Sequence, residues 1–409
     1  MSHRGLFYGW VVVAASATVI AVAMGALFSL GVFLKPIEDG MGWSRSEISI
    51  VALLNWLAMG LGSFVWGALS DRVGGRAVTV AGGFLLGLGL VLSSQVTVLA
   101  WFYVTFGVMV GFAVGAFYAP LSATASRWFT SRRGLALGVV SAGIGLGTFV
   151  IAPLARGLTN AWGWRGAMLA LGDLAWLVVI PVALLIKNAP AEMGAVALGG
   201  AAAARREYTT AEVVRAPQFW AIALTHLACC AAHSGPIFHM VTYAIEQGVA
   251  AMVAATVFGV SGLASIAGRI GCGILADRFG AKRTLLAGLA LQAVTILSYR
   301  FIGDAAAFYV AAVVFGVAYG GVMPLYALVT REYFGERIMG TAYGGVFLVS
   351  TLGMGLGSWA GGYVYDTLGT YAWLYLGSAA VGGMSVVLAL TFRSPRPHAA
   401  ASAAPVAAG

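Results

Sequence analysis

Charge is what this sequence has least of. Asp, Glu, Lys and Arg together make up 9% of its 409 residues, against about 25% in a soluble domain. Hydrophobic residues reach 60% and the mean hydropathy is +0.92, which excludes a soluble globular protein and points to a polytopic membrane protein. Cysteine is nearly as scarce. Cys229, Cys230 and Cys272 all lie in apolar runs, with no disulfide framework and no metal-ligand spacing, so packing is their expected role. No metal or other cofactor is implied. Neither a Ser/His/Asp set nor a carboxylate pair is placed for catalysis, so an enzyme is not expected. The net charge of +9 comes from basic residues scattered among short loops. With no patch and no recognition motif, nucleic acid is not an expected partner; the lipid bilayer is. The first apolar run is long enough to cross and lacks a small-residue cleavage site, so it is kept as a span and not a signal peptide.

Apolar runs of about 20 residues suit a hydrocarbon core about 30 Å thick. Twelve are found, near 9–34, 46–69, 77–94, 99–124, 134–158, 164–186, 218–245, 250–275, 283–303, 306–329, 339–364 and 370–392. The expected fold is all-α, with twelve transmembrane helices in two six-helix halves, 1–190 and 218–392. Residues 191–217 hold a Gly/Ala-rich stretch and read as a linker; the Pro/Ala/Ser-rich tail 393–409 reads as disordered. With both termini inside, 17 of the 23 Lys and Arg fall in cytoplasmic segments, five in outer ones, and Arg269 inside the membrane. That bias predicts a cell (inner) membrane protein with cytoplasmic termini.

The halves repeat. Gly67-Ala-Leu-Ser-Asp71-Arg72-Val-Gly-Gly-Arg76 follows the second span, and Gly273-Ile-Leu-Ala-Asp277-Arg278-Phe-Gly-Ala-Lys-Arg283 follows the eighth, offset by 206. Gly143-Ile-Gly-Leu-Gly147 in the fifth span recurs as Gly353-Met-Gly-Leu-Gly357 in the eleventh. Parallel repeats place a binding site at their interface near the bilayer midplane. Glycine runs inside spans let helices approach closely.

Arg269 lies in the eighth span, eight residues before Asp277. At 1.5 Å per residue it sits about 12 Å from that loop, close to the midplane. A guanidinium there keeps its proton and has to face a partner or a cavity. Ser261 and Ser265 share its helix face. The stripe reads as a fixed cation for an anion, or as an arginine locking two helices. Other polar groups in the spans are Asn55, Asp173, His226, His233 and His239. Histidine titrates near neutrality, which suits proton transfer; His239, beside Pro236 in the outer half, is the favoured one, and Asp173, near the midplane, is a second proton candidate. Tyr118 and Tyr319 stand in glycine-rich stretches near prolines and could donate to a carboxylate. Leu27, Ile144 and Met323 would wall a short carbon chain.

Together these features resemble the major facilitator superfamily, whose duplicated G-x-L-x-D-R-x-G-x-[KR] loops match those quoted above. That resemblance implies gating roles for Asp71, Arg72, Asp277 and Arg278. Within it, Tyr8-Gly9-Trp10, Gly31-Val-Phe-Leu-Lys35-Pro36 with Gly42-Trp43-Ser44-Arg45 across the first outer loop, and Arg215-Ala-Pro-Gln-Phe219-Trp220 look like the monocarboxylate porter and oxalate/formate antiporter branch. The branch implies that Arg269 binds a substrate carboxylate and that Lys35 takes part in proton and substrate entry; its bacterial members place a cavity histidine in the seventh span. Two departures stand out. Many animal members carry Asp four residues before the arginine, where this chain has Ser265. The eleventh span also lacks the second cation of oxalate exchangers. One cavity cation suits a monoanion. The expected function is therefore transport of a small monocarboxylate, lactate- or pyruvate-like, in symport with a proton, by a single chain using alternating access. An oxalate/formate-type antiporter and an exporter of apolar compounds are the alternatives.

Overall fold

The computed structural model describes residues 7–43, 45–189 and 208–392. The expected tail, and most of the expected linker, lie outside them. The described chain is all-α. Its helices are α1 (Tyr8–Phe28), α2 (Leu30–Met41), α3 (Arg45–Val73), α4 (Gly75–Ser94), α5 (Leu99–Phe102), α6 (Gly111–Val114), α7 (Tyr118–Arg127), α8 (Arg133–Leu174), α9 (Ile180–Leu184), α10 (Thr210–Arg215), α11 (Pro217–Glu246), α12 (Ala251–Phe279), α13 (Ala281–Ser298), α14 (Ala305–Phe334), α15 (Met339–Leu368) and α16 (Ala372–Leu390).

Among the described residues eleven helical stretches are long and apolar enough to cross a membrane, and one of these, Arg133–Leu184, runs 52 residues. At 1.5 Å per residue that is about 78 Å, more than twice the core thickness. The run breaks at Gly163, whose φ of 71° and ψ of 172° lie in a region essentially closed to residues with a Cβ. Two spans therefore meet there, and the expected twelve crossings result.

Three local expectations change. The first outer loop is mostly helix: α2 carries the chain on to Met41 and runs through Pro36. Phe33 and Ile37, one turn apart, are fully buried and hold that helix against the core. The fourth span is not one regular helix. A π-helix, Tyr103–Val110, links α5 to α6, and Asn55 Nδ2 donates to the Phe106 carbonyl at 3.1 Å within it and to Val51 O at 3.1 Å. The wider π ladder leaves carbonyls for such capture. The end of the linker is ordered as α10. There Thr209 Oγ1 accepts from the Glu212 N–H while Glu212 Oε2 accepts from the Thr209 N–H at 2.7 Å, a reciprocal cap.

The repeat shows in the backbone. Gly74 and Gly280, fourth residues of the two Asp-Arg-x-Gly turns, have φ/ψ of 87°/156° and 89°/148°. The halves meet where α3 packs on α15 and the first part of α8 packs on α12. Glycines permit this. A Cβ on Gly67 would stand 2.1 Å from Gly340 O, and one on Gly134 would stand 2.1 Å from Gly273 O, so the backbones touch.

Candidate functional site: a buried arginine between the halves

On α8, Gly134, Gly138 and Gly145 share a face with Ser141, at helical spacing. A Cβ on Gly138 would lie 2.5 Å from the backbone O of Arg269. That close approach brings the Arg269 side chain to the opposite half. Its Nε donates to Ser141 Oγ at 3.2 Å, and its Nη1 donates to Ser265 Oγ at 2.6 Å, one turn back on α12. Ser265 Oγ in turn donates to Gly262 O at 2.7 Å. Arg269 is 3% exposed, and no carboxylate among the described residues reaches ion-pair distance of it. Two neutral hydroxyls leave its charge unbalanced, which is costly in the membrane interior. The site is chemically prepared for an anion.

Tyr118 reaches the same serine, its hydroxyl donating to Ser141 Oγ at 3.2 Å. Its ring packs edge-on to Tyr343 at 5.8 Å and tilted to Phe347 at 5.5 Å, both on α15. Tyr319 lies with its ring centroid 5.7 Å from the Arg269 guanidinium. Beside Tyr118 is a narrow apolar crevice that Met24, Met59, Phe117, Ile144 and Phe347 help to line. Of the expected wall residues, Ile144 belongs to it; Leu27 is buried in α1 and Met323 half-buried on α14, both outside it.

The expected gating carboxylates form a symmetric pair of cross-half caps. Asp277 Oδ1 and Oδ2 accept from the N–H groups of Gly134 and Leu135, at 2.8 and 3.0 Å, at the start of α8. Asp71 accepts from the N–H groups of Gly340 and Thr341, at 3.0 and 2.7 Å, and from Thr341 Oγ1 at 2.7 Å, at the start of α15. Carboxylates at helix N-termini satisfy orphan donors and meet the positive end of the dipole. Arg127 Nη2 also stands 3.4 Å from Asp71. Arg331, buried on α14, donates to the carbonyl of Ser126 in the other half and pairs with Glu336 at 2.5 Å. The halves are thus tied together on the side of the chain termini. Arg72 and Arg278 are exposed beside these caps, with Arg278 over the Phe279 ring at 5.3 Å.

The other expected residues fall elsewhere. His239 is half-buried between α15 and α16, Nδ1 3.2 Å from Tyr371 Oη and Nε2 3.2 Å from Ser358 O. It lies about four turns of α11 from His226 and nearly two from His233, outward along the helix. Asp173 is exposed, on one face with Leu169 and Leu177, which are also exposed; it does not approach Arg269. Asn55 ties α3 to the π-helix. Lys35 lies in α2, and its side chain is outside the described residues. Ser141, Tyr343 and Phe347 are site residues that reading the sequence missed; the glycine spacing around Ser141 was the available signal for the first.

A family model described as "Major Facilitator Superfamily" matches residues 16–276 and 270–408. Monocarboxylate transporter 13 of Rattus norvegicus is 29% identical over 388 residues, covering 94% of this chain and 89% of that protein. Monocarboxylate transporter 11 of Homo sapiens is 29% identical over 407 residues, covering 94% and 83%. An uncharacterized MFS-type transporter of Escherichia coli (strain K12), YhjX, is 28% identical over 340 residues, with 82% of each chain covered. Among solved structures, the proton:xylose symporter XylE superposes with a TM-score of 0.77 at 11% identity, covering 94% of this chain and 96% of that one. FucP in its outward conformation gives 0.71 at 15%, covering 93% and 98%. A twelve-crossing duplicated bundle, a matching family model along nearly its whole length and the same fold in solved transporters lead to one statement: the chain belongs to the Major Facilitator Superfamily, a family of transporters and not of enzymes.

Proposed function

We propose that this chain carries small monocarboxylates of the lactate or pyruvate type across the cell (inner) membrane, in symport with a proton, by alternating access. The observation that carries the reading is Arg269, a fixed cation between the halves whose hydrogen-bond partners among the described residues are two serine hydroxyls. A planar guanidinium offers two parallel donors to one carboxylate. Tyr118 and Tyr319 flank the site, and the narrow crevice beside Tyr118 is apolar. One cation favours a monoanion over a dianion. The relatives named monocarboxylate transporters support the same substrate class. Rocking of the halves would open the caps at Asp71 and Asp277 and release the anion on the cytoplasmic side.

Anion exchange is a second reading, favoured by one observation: the position four residues before Arg269 is Ser265, not an acid. Reconstituted vesicles separate the two. Symport requires that labelled lactate accumulates when an inward proton gradient is imposed on empty vesicles. Uptake that ignores the gradient and needs internal anion would establish exchange. Competition by C2–C4 mono- and dicarboxylates then orders the substrates.

A further inference from the structure

The proton of that symport needs a carrier, and acids are excluded by their positions. Among the described residues, Asp71 and Asp277 are engaged as helix caps on the terminus side. Asp173 is exposed on the outer face of its helix. The remaining described acidic side chains, such as Glu246, Asp304 and Glu336, stand at helix ends or in loops. No described carboxylate lies in the bundle interior near Arg269. Histidine is the side chain whose charge ordinarily changes near neutral pH, and α11 carries three.

We propose that His233 carries the coupling proton, and that an anion on Arg269 is what makes its protonation favourable. This rests on the monocarboxylate reading above and adds the coupling group to it. His233 is 2% exposed. Its ring centroid is 5.6 Å from that of Tyr319, and Tyr319 is 5.7 Å from the Arg269 guanidinium. The two basic groups therefore both lie against one tyrosine ring. His233 Nδ1 lies 3.9 Å from Cys229 Sγ, and its Nε2 makes no hydrogen bond among the described residues. Nε2 is the atom free to take a proton. The other two histidines are differently placed. His239 has partners on both nitrogens. His226 is stacked on Tyr326 at 3.9 Å and lies seven residues, about 10.5 Å, nearer the terminus side.

The groups facing His233 are few. Its own helix supplies Cys229 and His226, α12 supplies Arg269, α14 supplies Tyr319, and α13 presents Gln292, an uncharged amide bonded to the Cys229 backbone. Arg269 is the one permanent charge in that set, and it is positive. Two cations on one cavity repel each other in a medium of low dielectric. A carboxylate bound to Arg269 removes that repulsion, so the proton follows the anion onto His233 Nε2, and by linkage the protonated ring tightens anion binding. The charge balance closes. The empty carrier holds +1 at Arg269. The loaded carrier holds Arg269, the anion and protonated His233, again +1. Both legs of the cycle move the same charge, so transport is electroneutral.

The test uses the full chain in proteoliposomes, wild type against His233→Gln. Two readings are taken: exchange of labelled lactate against internal lactate at equal pH, and proton influx with lactate accumulation under an inward proton gradient. Coupling of this kind is worth roughly 5–150-fold. H233Q is expected to exchange lactate still, at a half-saturation concentration raised about tenfold, and to lose gradient-driven accumulation by about tenfold, with proton influx lost as well. H233Q that still accumulates lactate with stoichiometric proton influx overturns the proposal. If H233Q is recovered aggregated, the same two readings on H233N decide. A wild type that neither exchanges nor accumulates lactate sinks the monocarboxylate reading itself; a wild type that does both, with H233Q doing both, sinks only the assignment of His233.

Discussion

Arg269 Nε and Ser141 Oγ meet at 3.2 Å across the boundary between the two halves. One hydrogen bond thus joins the fixed cation of α12 to the helix of the other half that must move against it. A ligand that takes over the donors of Arg269 also competes with this bond. On the proposed reading of Arg269, anion binding and the relative position of the halves are linked through one hydroxyl.

Replacing Arg269 should abolish transport, and lysine should not restore it. Hydrogen bonds to charged groups contribute about 1.5–3 kcal/mol each, so loss of the paired donors, about 3–6 kcal/mol, corresponds to roughly a hundred- to ten-thousandfold in affinity. Initial rates of lactate uptake for Arg269→Lys and Arg269→Ala check this. Lysine at wild-type rates would rule out bidentate recognition.

Tyr118→Phe keeps the ring contacts with Tyr343 and Phe347 and removes the hydroxyl that donates to Ser141. A neutral hydrogen bond contributes about 1 kcal/mol, so uptake affinity should fall about fivefold with the thermal midpoint nearly unchanged. A double-mutant cycle with Ser141→Ala should show coupling between the two, and strict additivity would place the hydroxyl outside the Arg269 network.

Gly340→Val should stop the terminus side from closing. A Cβ there would meet Gly67 O and Ser70 Oγ at 2.5 Å, and backbone on a packed helix cannot retreat cheaply. Ser126, fully buried at that closure, reports on it. In the G340V background, Ser126→Cys should react with an impermeant maleimide supplied on the terminus side, and in the parent it should not. Equal protection in both would mean the Gly67–Gly340 contact is not the gate.

Gly163→Ala should destabilise without touching the site. At φ 71° and ψ 172° a Cβ is strained by about 1–3 kcal/mol. No heavy atom lies within 4 Å of the added carbon, so strain is the whole effect. Thermal unfolding in detergent measures it; an unchanged midpoint would mean the turn relaxes to another conformation.

Asp173→Leu should stabilise the chain in bilayers. The carboxyl shares an exposed face with Leu169 and Leu177, and a mid-span Asp disfavours insertion by about 2.5–3.5 kcal/mol. Gradient-driven uptake should survive the change. Loss of proton coupling in D173L with exchange intact would return the proton to this residue and away from α11.

The sequence alone determined the bundle. Twelve apolar runs, the 206-residue offset between the Asp71 and Asp277 motifs, and an arginine about 12 Å inside a span follow from hydropathy, spacing and helical rise, which act locally along the chain. Even the break at Gly163 was legible as a gap between two runs. The tertiary structure decided which side chains share a space. Periodicity placed three histidines on α11 but could not say that His239 would find Tyr371 and Ser358, or that His233 and Arg269 would both pack against Tyr319. The glycine spacing around Ser141 signalled a close helix contact but not the partner, because a lone serine in an apolar helix acquires meaning only when another helix comes within reach. Asp173 shows the same limit: depth in the membrane can be counted along one helix, whereas the direction a residue faces depends on which neighbours that helix packs against.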